Sequence, residues 1–430
     1  VTPPARLDAA IALLAAIEAA PRAPADAIAQ AFFRDRRFIG AADRRWISDL
    51  VWHVLRQAIR IDWHLARHAH PPTPRARAIA WLRLGEQVAS DALAGLFSGA
   101  RYGPAALSAE ERVLNGALAG ALDDPAMDEA ARLNLPAFLV GPLRARFGAS
   151  LEAELAAMDR PAPLDLRANL LKADREAAHA ALAAEGFPAE PTALSPWGLR
   201  LRARAPIVGA KAFRDGLVEI QDEGSQLIAL LADARPGHRV IDYCAGAGGK
   251  TLAMAAMMDN RGSLVAADVS LTRLDAAVKR LRRAGVHNVE RRAIEPGAKW
   301  LKRAAGGFDR VLVDAPCTGT GTWRRNPDAR FRLQPDDLAA LVTKQRDILV
   351  SAARLVKAGG KLVYATCSLL VEENHAQVQH FLAQAQNFRL LPLSAVWPAG
   401  TPPCADPYLA LTPAAHATDG FFAAVMERAS

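Results

Sequence analysis

The chain has 430 residues, 51 % of them hydrophobic and 23 % charged, and 53 Lys plus Arg against 45 Asp plus Glu give a formal net charge of +8. That balance belongs to a globular protein long enough for two or three domains, and no apolar run reaches the roughly 18 residues of a membrane helix. Four cysteines in such a length exclude a disulfide scaffold and fit a reducing cytoplasm, while the basic excess leaves two readings open, a polyanionic partner or a solvated surface.

The opening stretch VTPPARLDAAIALLAAIEAA is interrupted by Asp8 and Glu18 and reads as an amphipathic helix rather than a signal peptide. Residues 1–130 are alanine-rich. Trp46, Ile47, Leu50, Val51, Val54 and Leu55 recur at spacings of three and four, as one buried helical face does. The region is therefore expected to be an all-α bundle. Arg34, Arg36, Arg37, Arg44 and Arg45 lie around its second predicted helix, either as RNA contacts or as a solvated face. His53, His64, His68 and His70 also fall here, without a cysteine or carboxylate set at ligand spacing, so no metal site is expected.

Residues 135–235 mix helical pieces (FLVGPLRARFG, REAAHAALAAEG) with short alternating ones (WGLRLRA, LVEIQD) and predict a small α+β connecting domain. From 236 to 430 the rhythm changes. HRVIDYC, GSLVAADV, FDRVLVDAP and KLVYATC are apolar β-type runs separated by helical stretches, the last preceded by DDLAALVTKQRDILVSAARLVKAGG. Such alternation predicts an α/β domain, a doubly wound parallel sheet covered by helices. The terminal GFFAAVMER is expected as an antiparallel edge strand.

Cys244, Cys317 and Cys367 each follow one of these apolar runs, where loops gather beyond the carboxyl ends of parallel strands and ligands bind. The loop DYCAGAGGKT is glycine-rich but lacks the spacing of a phosphate-binding loop. Asp268 ends the second strand, placed to accept from ribose hydroxyls or to cap the following helix. Loop and acid together predict a nucleoside-containing cofactor, nicotinamide or S-adenosylmethionine. The choice rests on the cysteines in Asp314-Ala315-Pro316-Cys317 and Thr366-Cys367-Ser368. Carbon 5 of a pyrimidine becomes nucleophilic when a thiolate adds to carbon 6, which calls for a cysteine, neighbouring acid/base groups and a methyl donor. Two inert packed thiols are the alternative.

VIDYCAGAGGKT, VLVDAPCTGTGTWRRNPD and LVYATCSLLVEEN together resemble the Sun/NOP-type RNA (cytosine-5)-methyltransferases over residues 135–430. DRRWISDLVWHVLRQAIRIDWHL, with Arg56 and Asp62, is similar to the NusB-like RNA-binding domain of the bacterial RsmB branch, which modifies small-subunit ribosomal RNA. The resemblance implies a Rossmann-like class I methyltransferase domain preceded by an all-α NusB-like domain and the α+β domain. It implies that Cys367 is the nucleophile, that Cys317 assists product release, and that Asp314 and Lys250 lie by the base. S-adenosylmethionine would be bound by Cys244, Ala245, Gly246, Ala247, Gly248, Gly249, Lys250, Asp268 and Asp314. Glu295 would stand near the adenine if the alignment is shifted slightly, Ala293 otherwise. Gly246 and Ala247 replace the family's usual Ala-Pro pair. Implied further are a monomer acting on 16S rRNA in the cytoplasm, with tRNA methylation and a catalytically inactive RNA-binding assembly factor as alternatives. Trp323, Arg324 and Arg325 would stack on RNA or contact its phosphates, or else form a solvent-facing loop, and the basic 273–303 segment would track the backbone or face solvent.

Overall fold

The computed structural model describes residues 2–430 except 22, 204, 296 and 399. The chain divides into two compact units. The first comprises Val1–Arg160 with Trp323–Gln334, and the second comprises Pro161–Thr322 with Pro335–Ser430.

The first unit is helical. Pro3–Ala19, Ala25–Asp35, Ala41–Arg56, Ala58–Arg67 and Pro74–Leu84 are joined by short turns, and the helices Ala137–Phe147 and Leu151–Met158 also belong here. Leu7, Leu14, Ile47, Leu50, Val51, Val54, Ile61 and Ile79 form its core, as the three-and-four spacing predicts. Arg56 is buried and donates to the Trp52 and Arg324 carbonyls, and Asp62 takes a bidentate pair of 2.7 Å hydrogen bonds from Arg77. Both therefore hold the bundle together. The 323–334 segment completes the same unit: Trp323 is fully buried with the Arg330 guanidinium 4.9 Å from its ring centre, and Arg330 pairs with Asp159. This corrects the expectation of a base-stacking loop, because a buried indole and a buried Arg324 cannot meet RNA.

The second unit holds two sheets. Strands β1 (Asp165–Ala168), β2 (Ala189–Pro191), β3 (Gly198–Leu201) and β4 (Val218–Ile220) form an antiparallel sheet in the order β2-β3-β1-β4. The larger sheet contains β5 (Arg239–Asp242), β6 (Ser263–Asp268), β7 (Val289–Ala293), β8 (Phe308–Asp314), β9 (Val356–Thr366), β10 (Phe388–Leu391), β11 (Leu409–Leu411) and β12 (Phe421–Arg428). Its order is β10-β12-β9-β8-β5-β6-β7, with β11 beside β12. The five strands from β9 to β7 are parallel, so the chain winds one way from β5 through β7 and the other way through β8 and β9. This is the Rossmann-like doubly wound arrangement, and β5/β8 is its switch point. β12 is antiparallel as expected, but it lies inside the sheet, because β10 pairs on its outer side. Its buried run Phe421–Met426 explains this: a strand apolar on both faces is stable only when covered. The predicted helix ending at LVKAGG is also shorter, stopping at Ala353, with Val356–Gly360 already extended in β9.

Much of the local basic excess is neutralised within the fold. Glu219 pairs with Arg280 at 3.4 Å and Arg283 at 2.5 Å, Asp275 with Arg291, and Glu290 with Arg292. Lys279, Arg282, Lys299, Lys302 and Arg303 remain exposed.

Candidate active site

Because β9, β8 and β5 are adjacent, their carboxyl ends bring the three loop cysteines to one edge of the sheet. A cavity of about 380 Å³ opens there, within the range of small-molecule sites. Cys244, Asp268, Asp314, Cys317 and Cys367 line it, together with Tyr243, Val269, Arg273, Ile294 and residues of the helix Pro335–Ala353.

The turn after β5 shapes one side. Gly246 (φ 53°) and Gly248 (φ 78°) are left-handed, and a Cβ on Gly246 would come within 2.6 Å of the Arg273 guanidinium. The tight turn is thus kept without the proline usual in the family. The Gly246 N–H donates to Asp268 Oδ2 at 2.9 Å, and the Ser270 N–H donates to Oδ1 at 2.9 Å. Ala247 and Gly249 are held from behind, through carbonyls that accept from Arg280 and Arg167. A buried carboxylate at a glycine turn, beside the apolar Val269 and Ile294, fits a nucleoside: the acid for ribose hydroxyls, the apolar pair for a base.

Lys250 opens the following helix and donates from Nζ to Asp314 Oδ2 at 2.6 Å. Burial alone would pull this ammonium down, but the charge of Asp314 and its hydrogen bond outweigh that and raise it above the ordinary lysine value. Cys317 Sγ lies 3.5 Å from Cys367 Sγ. The Cys317 thiol is held well above its usual value, first by the hydrogen bond to Cys367, then by burial and by the charges of Cys367 and Glu373. Either sulfur can donate in this contact, and the raised value favours Cys317 as the one that carries the proton. The Cys244 thiol is pushed up by burial and by the carboxylates of Asp314, Asp242 and Asp268, so it lines the cavity as a neutral group.

Of the sequence-predicted residues, the structure brings together Cys244, Asp268, Asp314, Cys317 and Cys367 on the cavity, with Lys250 reaching it through Asp314. Ala245, Gly246, Ala247, Gly248 and Gly249 form the turn behind it. Glu295 is exposed and lines a separate depression with Glu290 and Lys299, whereas its neighbour Ile294 lines the cavity. The sequence reading sought an acid after β7 and missed this apolar residue. Ile348 and Ser351 were missed as well, since helical periodicity does not reveal which exposed turn faces a cavity.

Asp242, at the end of β5, is buried, and its carboxyl is pushed up to about 7, chiefly by burial, against the 2.6 Å hydrogen bond from Thr251 Oγ1. The native chain then holds a proton that the unfolded chain gives up near 3.8, so this group costs stability progressively as pH rises from about 4 to 7. Asp242→Asn removes the titration. Wild type is expected to lose on the order of a few kcal/mol relative to the variant across that window, read by urea unfolding at stepped pH. Parallel stability curves would show that the site is not titrating.

Residues 229–427 match the family model described as 16S rRNA methyltransferase RsmB/F, and residues 135–208 match the ferredoxin-like domain of RsmF/B-like methyltransferases. A Synechocystis protein named "Probable ribosomal RNA small subunit methyltransferase B" is 31 % identical over 90 % of this chain and 92 % of its own. The 26S rRNA (cytosine-C(5))-methyltransferase nsun-1 of Caenorhabditis elegans is 35 % identical over 66 % of this chain and 45 % of its own. Among solved structures, a methyltransferase homologue from Pyrococcus horikoshii superposes with a TM-score of 0.61 at 30 % identity, over 71 % of this chain and all of its own. The doubly wound sheet, the cavity at its strand ends with its thiol pair, and these matches agree: the chain belongs to the Sun/NOP-type RNA (cytosine-5)-methyltransferases, in their RsmB-like branch, and is an S-adenosylmethionine-dependent RNA methyltransferase.

Proposed function

We propose that this enzyme methylates carbon 5 of a cytosine in 16S rRNA, as a monomer in the cytoplasm, through a covalent adduct with Cys367. The observation that carries the mechanism is the thiol pair, 3.5 Å apart on the wall that also presents Asp314 and Asp268.

The protonated Cys317 supports Cys367 as the attacking thiolate, since only the ionised sulfur is a strong nucleophile. Cys367 forms the bond to carbon 6, and the π pair of the 5,6 double bond moves to carbon 5. When bound, S-adenosylmethionine supplies an electrophilic methyl group on a sulfonium sulfur. The Asp314–Lys250 pair holds the cytosine ring against Cys367. Carbon 5 still carries its hydrogen after taking the methyl. Bonding of Cys367 to carbon 6 removes the hydrogen bond and the charge that held the Cys317 proton, so Cys317 releases that proton to water, and its thiolate then takes the proton from carbon 5. The 5,6 double bond re-forms, the carbon 6–sulfur bond breaks, and its pair returns to Cys367. A base inside structured RNA must first unstack into the cavity, at roughly a few kcal/mol.

The helical unit is assigned to RNA binding. Arg34, Arg37 and Arg45 are exposed around Phe38, which is 77 % exposed, the pairing of charge and aromatic surface that suits nucleic acid. Arg36 and Arg44 instead cap carbonyls of their own unit.

The test is to offer protein-free 16S rRNA and bulk tRNA separately, with methyl-labelled S-adenosylmethionine, and to map 5-methylcytosine by bisulfite sequencing. One modified cytosine in 16S rRNA is the expected result. Label confined to tRNA would move the substrate to that class, and no label in either would revive the inactive assembly-factor reading.

A further inference from the structure

Behind the two thiols lies a carboxylate that the chemistry above does not use. Glu373 sits in the turn Val371–Glu373, fully buried. Its Oε1 accepts from the Thr318 N–H at 2.9 Å and from Gln345 Nε2 at 2.9 Å. Its Oε2 accepts from the hydroxyls of Thr318 and Ser368. Thr318 directly follows Cys317 and Ser368 directly follows Cys367, so one carboxylate grips the residue after each cysteine. Gln345 also donates to the Pro316 carbonyl at 2.9 Å, which fixes the residue before Cys317. The Tyr364 hydroxyl, from β9, donates to the Glu373 carbonyl at 2.6 Å. Neutral hydrogen-bond donors thus surround this buried acid, from the two loops that carry the thiols and from Gln345 of the helix Pro335–Ala353.

A buried carboxylate without its hydrogen bonds is expensive, and with them it rigidifies whatever supplies the donors. Strand ends alone would leave two loops free to drift, and a reacting pair needs sub-ångström placement. We propose that Glu373 is a positioning residue that ties the Cys317 and Cys367 loops together and sets the distance between their sulfurs. The assignment rests on the cysteine reading for its consequence in catalysis, but its geometric content does not.

The charge has a second effect. The groups facing Cys317 are Cys367, Glu373, Tyr364, Cys244 and, across the cavity, the Asp314–Lys250 pair. Glu373 is among the groups that keep the Cys317 proton in place while Cys367 attacks. Glu373→Gln would keep the shape, because the Thr318 and Ser368 hydroxyls can turn to accept from the new amide, while the charge is lost. Glu373→Ala would strand every donor.

The experiment uses the full chain in a Cys244→Ala, Cys404→Ser background, so that only the thiol pair remains. Phenylarsine oxide, which bridges two close thiols, is the probe. Wild-type spacing is expected to retain one arsenical per chain through a wash with excess monothiol. Glu373→Ala is expected to weaken that retention at least ~10-fold, because the chelate depends on the effective concentration of one sulfur at the other, and Glu373→Gln to restore most of it. On RNA, kcat of Glu373→Ala is expected to fall roughly 100-fold with KM changed less than about 3-fold, since positioning acts on the reacting atoms rather than on RNA affinity. With Cys367 also replaced by alanine, iodoacetamide labelling of Cys317 in Glu373→Gln should run at lower pH than with Glu373 present, a shift that loss of packing would not produce. Should Glu373→Ala fail to fold, Ser368→Ala, which cuts one side of the tie, is expected to weaken arsenical retention in the same direction. Unchanged retention in a folded Glu373→Ala would overturn the proposal, as would absence of capture in the parent. Lost capture with methyl transfer intact would leave the positioning role standing and sink the cysteine mechanism instead.

Discussion

Cys317→Ala is expected to accumulate RNA covalently joined to the protein, visible as a nuclease-sensitive, slow-migrating species on a denaturing gel. Cys367→Ala is expected to show no such species and to lose methyl transfer by roughly 10⁴-fold or more, the scale on which enzymes lose rate when their nucleophile is deleted. The asymmetry follows from the pair's electrostatics. On the proposed mechanism Cys317 holds its proton while Cys367 attacks and then clears the adduct, an order that the raised value of Cys317 and its contact with Cys367 support. Removing the second group leaves the first bonded to RNA. An adduct in Cys367→Ala alone would reverse the roles. An adduct in neither, with RNA shown to bind and methylation intact in both, would remove covalent catalysis from the scheme.

Asp314→Asn should cost more than the loss of one contact. Lys250 is 10 % exposed in its side chain and Asp314 31 %, so deleting the carboxylate charge strands a nearly buried ammonium while solvent softens the penalty. A loss of about 2–3 kcal/mol at pH 7 is expected, less than for a fully buried pair. The pH dependence changes sign at the same time. In wild type the Lys250 value is raised, so the pair's contribution is complete below the ordinary lysine value of 10.5 and fades as pH climbs through the raised one. In Asp314→Asn burial, the largest influence, is opposed only by the charges of Asp242 and Cys367 and drags Lys250 down, so the variant should regain stability as pH rises toward 10. The double variant Asp314→Asn, Lys250→Met should be more stable at pH 7 than Asp314→Asn alone, because the stranded charge is gone. Urea unfolding reads all three chains. A single variant whose stability is insensitive to pH between 7 and 10 would mean that Lys250 finds water when Asp314 leaves. Methyl transfer by Asp314→Asn should fall roughly 10²-fold, because the pair that holds the ring against Cys367 in the proposed mechanism is broken.

The doubly wound parallel sheet, the helical unit and the three cysteines at strand ends could all be read from the chain. Strands buried on both faces are runs of Val, Ile, Leu and Ala, bundle helices repeat every three or four residues, and a strand's carboxyl end is where its apolar run stops. Those are local properties, fixed by composition and spacing within a dozen residues. The same locality explains the errors. Trp323 sits four residues from Gly319 in a polar-looking loop, and nothing nearby in sequence reveals that it is fully buried and belongs to the helical unit. β12 looks like an edge from its terminal position and becomes interior because β10, some thirty residues earlier, pairs with its far side.

The active centre divides along the same line. Sequence alone determined which residue types could do the chemistry: a glycine turn, an acid after the second strand, and two cysteines in polar strand-end motifs. Tertiary structure decided the distances and the charges. The 3.5 Å between the sulfurs, the raised Lys250 held by Asp314 and the exclusion of Glu295 in favour of Ile294 each depend on pairing between segments far apart in the chain. Glu373 is the plainest case. In sequence it is the second acid of VEEN, five residues after Ser368, and only the pairing of β8 with β9 brings it Thr318, because a buried carboxylate takes its partners from whichever loops the sheet brings to it.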